Sequence, residues 1–297
     1  MKEIIVISGK GGTGKTSILA SLAVLAKPVV VADCDVDAAD LHLLLSPEVL
    51  ESNDFLGGAK VEINPRLCTA CGKCAELCRF DAISLTGVGN EKVKATYRID
   101  PIACEGCGVC VHFCPEKAIE MTDAVNGRWF VSQSRVGPMV HARLNPAEEN
   151  SGKLVTIVRN RAREIASKKC IETILVDGAP GVGCPVIASI TGADIALIIT
   201  EPTLSGLHDM KRVAELAGHF GLERYLCINK WDINPELTEQ INEIAKEMDI
   251  PVLGKVRYDP AITQAQVENL SIIEYTTGGV CDDIKQLWSE LADIIRG

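Results

Sequence analysis

The sequence has few aromatic residues, no excess of basic charge and no long apolar run. Aromatic side chains make up 4% of its 297 residues against a hydrophobic content of 47%, which is typical of an aliphatic α/β core. The formal net charge of −10 disfavours nucleic acid and anionic membranes, since both attract basic surfaces. No run of about 18 apolar residues indicates a transmembrane helix, and Met1 leads into an apolar stretch without a basic signal-peptide region. We therefore expect a cytoplasmic protein with neither a nucleic acid nor a membrane partner.

Cysteine, by contrast, is abundant, with thirteen residues. Because thiols in the cytosol are kept reduced, this number indicates metal ligation rather than disulfide bonds. Eight of the cysteines form two copies of the spacing C-x2-C-x2-C-x3-C, the run of bacterial ferredoxins, in which the fourth cysteine of each run ligates the other run's cluster. We predict two 4Fe-4S clusters. Their ligands are Cys68, Cys71, Cys74 and Cys114 for the first, and Cys104, Cys107, Cys110 and Cys78 for the second.

The two cysteine runs belong to a longer repeat with an offset of 36 residues. Ile63 and Ala82 correspond to Ile99 and Ala118, so each copy predicts a strand, a ligand loop, a short helix and a second strand. Pro115 follows the second run, as the ferredoxin pattern asks, whereas the first run lacks this proline. Structural zinc is the alternative. Zinc modules usually separate two C-x2-C pairs by a dozen or more residues, whereas here four thiols lie within eleven.

Nucleotide binding is indicated by the segment GKGGTGKT, which follows an apolar stretch at residues 3–8 and precedes a helical pattern at 17–26. This is the P-loop pattern in its required strand, loop and helix context. Its glycines let backbone N–H groups surround phosphate oxygens, Lys15 reaches the β- and γ-phosphates, and the Thr16 hydroxyl ligates Mg²⁺. The predicted nucleotide-binding residues of this segment are Gly9, Lys10, Gly11, Gly12, Thr13, Gly14, Lys15, Thr16 and Ser17.

Apolar stretches alternate with helical patterns along most of the chain, which predicts an α/β fold with a doubly wound parallel sheet. The predicted strands are residues 3–8, 28–32, 173–176, 194–200, 224–228 and 251–256. The cysteine repeat interrupts this alternation. We therefore predict a P-loop domain in two parts, residues 1–57 and 123–297, with an inserted α+β ferredoxin domain at residues 58–122.

Two acidic segments add to the candidate nucleotide site. Asp35 and Asp37 of DCDVDAAD and Asp177 of DGAPGVGCP follow predicted strands, and ligands bind at such strand ends in open α/β sheets. Together with the second P-loop lysine, Lys10, these segments resemble the MinD/ParA/Mrp/nitrogenase iron protein class of P-loop ATPases, and the resemblance covers nearly the full length.

The resemblance to this class assigns roles to the polar residues. It implies that Lys10 reaches the partner's nucleotide in a dimer, and that Asp177 holds Mg²⁺ through water. It also implies that Asp35, with Asp37 the less favoured candidate, positions the attacking water, although both could instead belong to a solvated loop. The predicted catalytic residues are thus Lys10, Lys15 and Asp35.

The sequence leaves alternative roles open for three further polar residues. Cys184 lies seven residues after Asp177, where the nitrogenase iron protein carries one ligand of a dimer-bridging cluster. Residues 115–169 contain no cysteine to match that protein's other ligand, so a buried structural thiol is favoured. His141 and Asn150 belong either to a site near the nucleotide or to a polar connector.

The segment NKWD, residues 229–232, helps to predict whether the bound nucleotide carries adenine or guanine. It matches the guanine-reading N-K-x-D of GTPases, whereas in the MinD class an asparagine at this place contacts adenine. The resemblance favours ATP and leaves GTP as the alternative. Asn229 and Lys230 are predicted nucleotide-binding residues, and we expect residues 256–260 to cover the other side of the base.

These features together predict an Mg²⁺-dependent ATPase whose nucleotide state controls electron transfer or the maturation of another metalloprotein. A nucleotide-dependent homodimer and a redox or metalloprotein partner are expected. One alternative is a cluster scaffold or carrier of the Mrp type, which labile clusters would indicate. Another is a MinD-like spatial organiser, which needs a lipid-binding tail or a DNA-binding surface that this acidic chain lacks.

Overall fold

The computed structural model describes residues 1–146, 148 and 152–296. The chain divides into two compact units. Unit 1 comprises Met1–Asn53, Arg128–Leu144 and Asn150–Gly297, and unit 2 comprises Asp54–Gly127 and Asn145–Glu149. The insert predicted at residues 58–122 lies within unit 2, which begins earlier and ends later than predicted and takes in a short second segment.

The helices and strands alternate along most of the chain. The strands are β1 (Lys2–Ile7), β2 (Val30–Asp33), β3 (Glu48–Ile63), β4 (Ile83–Val88), β5 (Ala95–Ile99), β6 (Ile119–Gln133), β7 (Pro138–Leu144), β8 (Thr173–Asp177), β9 (Ile195–Thr200), β10 (Glu223–Asn229) and β11 (Val252–Val256). The helices are α1 (Lys15–Ala26), α2 (Leu41–Leu45), α3 (Lys73–Leu77), α4 (Val109–Phe113), α5 (Lys153–Lys169), α6 (Cys184–Ile190), α7 (Leu204–His219), α8 (Pro235–Glu247), α9 (Ala261–Val267), α10 (Ile272–Tyr275) and α11 (Val280–Arg296). Two of the unit boundaries fall within β3 and β6, and another follows the end of β7.

A mainly parallel sheet forms the centre of unit 1. Seven strands in the order β11-β10-β9-β1-β8-β2-β7 pair in parallel. The six strands predicted from the sequence are all present, and the predicted parallel α/β sheet is confirmed. The chain moves to one side of β1 through β2 and to the other through β9, and ligands bind at the carboxyl ends of strands at such a reversal. The sequence prediction missed β7, which pairs with β2.

Unit 1 buries aliphatic side chains against this sheet. In α11 the apolar face packs into the core, where Leu287 and Leu291 are fully buried. None of the helices in the described residues has the length and apolar character needed to span a membrane.

The sequence repeat of unit 2 is also a repeat of backbone structure. Helices α3 and α4 begin 36 residues apart and have the same length. The residues before them, Gly72 and Gly108, have left-handed φ angles of 80° and 73°. Ala70 and Gly106, at equivalent positions of the ligand loops, also have positive φ, at 54° and 61°.

The two copies in unit 2 exchange equivalent hydrogen bonds. The Asn64 N–H donates to the Ala118 carbonyl at 2.7 Å, and the Asp100 N–H donates to the Ala82 carbonyl at 2.8 Å. Each donor and each acceptor in one bond corresponds, by the same offset, to those in the other. The second strand of each copy thus pairs at its start with the first strand of the other.

Candidate functional site

The P-loop connects β1 to α1 and depends on glycine at three places. Gly12 and Gly14 have left-handed φ angles of 79° and 88°, which glycine adopts without a steric penalty. A Cβ at Gly14 would lie 2.4 Å from the Asn229 amide nitrogen, and one at Gly9 would lie 2.3 Å from Asp209 Cβ. Gly9 therefore allows close packing beside the loop, and it does not line the cleft.

A cleft of about 640 Å³ opens over this loop in unit 1. It brings together the P-loop and the segment after β2, as expected for elements that end at the same edge of a parallel sheet. The predicted site residues among those that line it are Lys10, Gly11, Gly12, Thr13, Gly14, Lys15, Thr16, Ser17, Asp35 and Asp37.

The side chains at the start of α1 meet the carboxylate at the end of β8. Lys15 Nζ lies 2.5 Å from Asp177 Oδ1 and 3.5 Å from Asp35 Oδ2, and the Thr16 hydroxyl donates to Asp177 Oδ2 at 2.8 Å. Burial lowers the pKa of Lys15, but the two carboxylates outweigh this effect and raise it above its ordinary value. The ammonium group therefore stays charged inside the cleft.

The aspartate that ends β2, Asp33, and the one that follows two residues later, Asp35, have raised pKa values. Burial raises the pKa of Asp35 although Lys15 opposes the shift. Asp33 is fully buried, and burial followed by repulsion from Asp177 raises its pKa well above the usual range. Three carboxylates thus share the charge of one buried lysine, which makes the cleft electrostatically suited to an added cation.

The other P-loop lysine is held by a residue that the sequence did not identify. Glu201, directly after β9, accepts Lys10 at 2.8 Å and Lys230 at 2.9 Å through its two carboxylate oxygens. Lys10 also donates to Ser205 Oγ at 2.9 Å and Thr203 Oγ1 at 3.3 Å. Burial raises the pKa of Glu201, but the hydrogen bonds from the two lysines outweigh this and lower it. Glu201 therefore remains an anion that fixes both lysines.

A second cavity, of about 240 Å³, adjoins the P-loop on the side of β10. Asn229 lies in its wall, where its amide nitrogen donates to the Thr13 carbonyl at 2.7 Å. Lys230 and Tyr258 also line it, whereas Asp232 does not. Asp232 Oδ1 instead accepts the backbone N–H of Tyr258 at 2.7 Å. The first two residues of NKWD, Asn229 and Lys230, therefore line this cavity. Asp232 instead holds the loop that contains Tyr258.

The eight repeat cysteines of unit 2 surround two further cavities. Each has a volume of about 20 Å³. The first cavity is lined by Cys68, Cys71, Cys74 and Cys114, which we name the first thiol set. The second is lined by Cys104, Cys107, Cys110 and Cys78, the second thiol set. Each cavity thus receives three thiols from one run and the fourth from the other.

No three or more Cys, His, Asp or Glu side chains in the described part of the chain are grouped as ligands of a single metal ion. The thiols therefore line their cavities without converging on one point.

Comparison with known proteins places the chain in a family. The chain matches the CobQ/CobB/MinD/ParA nucleotide binding domain over residues 4–272. It belongs to this family. An uncharacterized protein of Methanocaldococcus jannaschii is 33% identical to this MinD/ParA-family chain, over 99% of the chain and 97% of that protein.

Two solved structures share the fold of this MinD/ParA-family protein. MinD of Pyrococcus horikoshii, complexed with Mg-ADP, has a TM-score of 0.57 at 18% identity and covers 99% of this chain and 98% of its own. The MinC:MinD complex of Aquifex aeolicus has a TM-score of 0.59 at 17% identity and covers 99% and 96%. At these identities the likeness establishes the fold alone.

The prediction that Cys184 is a buried structural thiol is wrong. Cys184 is exposed. It begins the short helix α6 directly after the glycine-rich loop that follows β8, so its side chain is in the first turn, facing solvent.

His141 packs inside unit 1 of this MinD/ParA-family protein, whereas Asn150 lies outside the described residues. The His141 ring stacks on His42 at 5.9 Å and on Phe130 at 5.0 Å between centroids. Its Nε2 lies 2.9 Å from Ser132 Oγ. Burial, with a smaller contribution from His42, lowers the pKa of His141 to about 4. These contacts describe a packed neutral histidine.

His141 should make stability depend on pH. Because its pKa is lowered in the folded state, the unfolded chain takes up a proton near pH 6.5 while the folded chain does not. We expect the free energy of unfolding to be unaffected by this group above pH 6.5, and to fall by up to about 3 kcal/mol towards pH 4. Urea unfolding of wild type and His141→Gln across this range measures the effect. If the free energy of unfolding changes equally with pH in both proteins, the prediction is wrong.

Proposed function

We propose that this protein is an Mg²⁺-dependent ATPase whose unit 2 carries two 4Fe-4S clusters, and that nucleotide state controls electron transfer through these clusters. Membership of a nucleotide-binding family supports the first part. The observation that carries the second part is the grouping of eight thiols into two sets of four around separate cavities.

The cleft of unit 1 contains the groups that phosphoryl transfer requires. Backbone N–H groups of the P-loop and the Lys15 ammonium bind the phosphates, and Thr16 with Asp177 holds Mg²⁺. The 2.8 Å contact between the Thr16 hydroxyl and Asp177 supports a shared ion at this place. Asp35 orients the attacking water, and its raised pKa makes it a better proton acceptor than an ordinary aspartate.

ATP is the proposed nucleotide rather than GTP. Guanine recognition by N-K-x-D needs the aspartate carboxylate directed at the base. Here Asp232 does not line the cavity beside the P-loop, and one of its oxygens already accepts a hydrogen bond from Tyr258. Asn229, Lys230 and Tyr258 are among the polar residues that line this cavity and would surround the base.

The thiols of unit 2 fit 4Fe-4S clusters in number and grouping. Four cysteines ligate each cluster of this type, and each cavity is lined by four. Irons lie between the thiolates of such a cluster, so the thiols need not converge as they would on a single ion. When bound, the clusters would accept and release single electrons at low potential.

Electron transfer is favoured over cluster donation because all eight ligands are supplied by the chain itself. A homodimer assembled by nucleotide, with Lys10 contributing across the interface, and a redox or metalloprotein partner complete the proposal. A protein that shares this fold has been solved in the MinC:MinD complex of Aquifex aeolicus, so the fold is compatible with binding a partner protein.

Anaerobic purification followed by iron, sulfide and potential measurements tests this function. We expect about eight irons and eight sulfides per chain. If nucleotide and redox state are coupled by about 1 to 3 kcal/mol, the potential of at least one cluster should differ by about 40 to 130 mV between ADP and a non-hydrolysable ATP analogue. Stoichiometric zinc, or identical potentials with no change in ATP affinity on reduction, would overturn the proposal.

A further inference from the structure

Asn90 ties the hairpin between β4 and β5 to one of the two ligand loops. Its side-chain amide nitrogen donates to the carbonyl of Pro65 at 2.6 Å and to that of Cys68 at 2.8 Å. Its side-chain oxygen accepts the N–H groups of Lys92 and Val93 at 2.8 and 3.0 Å. Both ends of the amide are therefore used, and the Cys68 loop is fastened to the hairpin turn.

The repeat places Asn126 at the position equivalent to Asn90, but Asn126 makes different contacts. Its side-chain oxygen accepts the Gly57 N–H at 3.2 Å, and its amide nitrogen donates to Glu148. Within the described residues no side chain donates a hydrogen bond to the carbonyl of Pro101 or Cys104, the equivalents of the two carbonyls that Asn90 binds. The second ligand loop thus lacks this fastening.

The two thiol sets also differ in a hydrogen bond to sulfur, and again the first set has the additional bond. The Ala118 N–H donates to Cys114 Sγ, in the first thiol set, at 3.3 Å. Among the described residues, Cys78 of the second thiol set receives no corresponding bond from Ala82. Hydrogen bonds to a charged acceptor are strong, and this one holds the sulfur of a proposed ligand in the first set.

Solvent exposure does not account for a difference between the two sets. Each contains one buried, one exposed and two half-buried thiols. The two loops share one contact, in which the Arg66 N–H donates to the Asn64 side chain at 3.0 Å and the Ile102 N–H donates to the Asp100 side chain at 2.9 Å. The first loop has two further backbone bonds, from the Leu67 and Cys68 N–H groups to the Asn64 carbonyl at 3.2 Å, which have no equivalents at Asp100 among the described residues. The Asn90 contacts and the Cys114 hydrogen bond therefore add to a first ligand loop that is already the more extensively hydrogen-bonded of the two.

We propose that Asn90 is a positioning residue that makes the two metal sites unequal, so that the first thiol set retains its cluster while the second releases its cluster first. This inference rests on the proposed function, since it concerns clusters held by these thiols. The structural reason is that releasing a cluster requires the ligand loop to open. Opening the Cys68 loop breaks two hydrogen bonds that the Cys104 loop does not have.

Partial removal of iron from the full-length protein tests the inequality. The anaerobically purified protein is incubated with an iron chelator, and freed thiols are alkylated and located by mass spectrometry over time. We expect the second thiol set to be labelled about tenfold faster than the first, from the net contribution of two hydrogen bonds. Equal rates, or earlier labelling of the first set, would overturn the inference.

Substitution of Asn90 provides the matched comparison. Asn90→Asp keeps the acceptor for Lys92 and Val93 but loses the donors to the two carbonyls, so labelling of the first set should accelerate to approach that of the second. Asn90→Ala removes all four side-chain bonds and should do the same. Thr86→Ala, on the same hairpin, removes only a contact to Ser84 and should leave the order unchanged.

The results separate this inference from the function beneath it. Wild-type protein without iron would overturn the proposed function and this inference together. Two clusters with an unchanged order of release in both Asn90 variants would overturn the inference alone. ATP binding serves as a check that unit 1 remains folded in each variant.

Discussion

Replacing Cys78 with alanine should remove iron from the site of the other cysteine run. Cys78 lies at the end of α3, yet it lines the cavity of Cys104, Cys107 and Cys110. Loss of the fourth thiolate leaves three ligands there, and we expect the iron content to fall from about eight to about four per chain. Alkylation should then label the second thiol set while the first, complete with Cys114, stays protected.

Two further variants control the Cys78 experiment. Cys114→Ala should produce the reciprocal result, with the first thiol set labelled and the second protected. Cys170→Ala removes an exposed thiol outside both sets and should leave the iron content at about eight. Labelling of Cys68, Cys71 and Cys74 in the Cys78 variant would show that each run holds its own cluster, contrary to the crossed assignment.

The sequence was sufficient to predict features whose defining residues lie close together in the chain. The P-loop needs glycine, lysine and threonine within one short segment, residues 9–16, and the strand before it is a continuous apolar run, so both could be predicted. The offset of the repeat predicted equivalent loops in unit 2, since the same residues at the same spacing favour the same backbone. Asp35 and Asp37 line the cleft because they follow the strand next to β8.

Features that depend on contacts distant in sequence could not be predicted. Glu201 is an ordinary glutamate after a strand until the fold brings Lys10 and Lys230 to its two oxygens. Asn90 is typical of a turn residue, and its link to Pro65 and Cys68 depends on how the hairpin folds back. The exposure of Cys184 depends on the end of the loop before α6, which an offset from Asp177 does not specify.

Replacing Lys10 with alanine should nearly abolish ATP hydrolysis while leaving ATP binding and iron content intact. Lys15 and the backbone of the P-loop supply the binding contacts, so loss of Lys10 removes charge needed mainly in the transition state. Removal of one such preorganised cation or donor costs about 10² to 10³ in rate. The measurement is ATP turnover by the anaerobic protein, with dimer formation followed by sedimentation in the presence of an ATP analogue. Full turnover in the variant would contradict the proposed role.

Mixing two inactive variants decides whether Lys10 acts within its own chain or across a dimer. Lys10→Ala binds ATP but lacks the lysine, whereas Lys15→Ala retains Lys10 but cannot hold the phosphates. If Lys10 acts across the interface, their mixture should regain hydrolysis at the one site that combines ATP with a partner's Lys10.

In the structure Lys10 is paired with Glu201 of its own chain, so acting on a partner requires this contact to break. Glu201→Gln weakens the contact by removing its charge and should therefore raise turnover. Lower turnover in Glu201→Gln, together with no recovery in the mixture, would instead place the action of Lys10 within its own subunit.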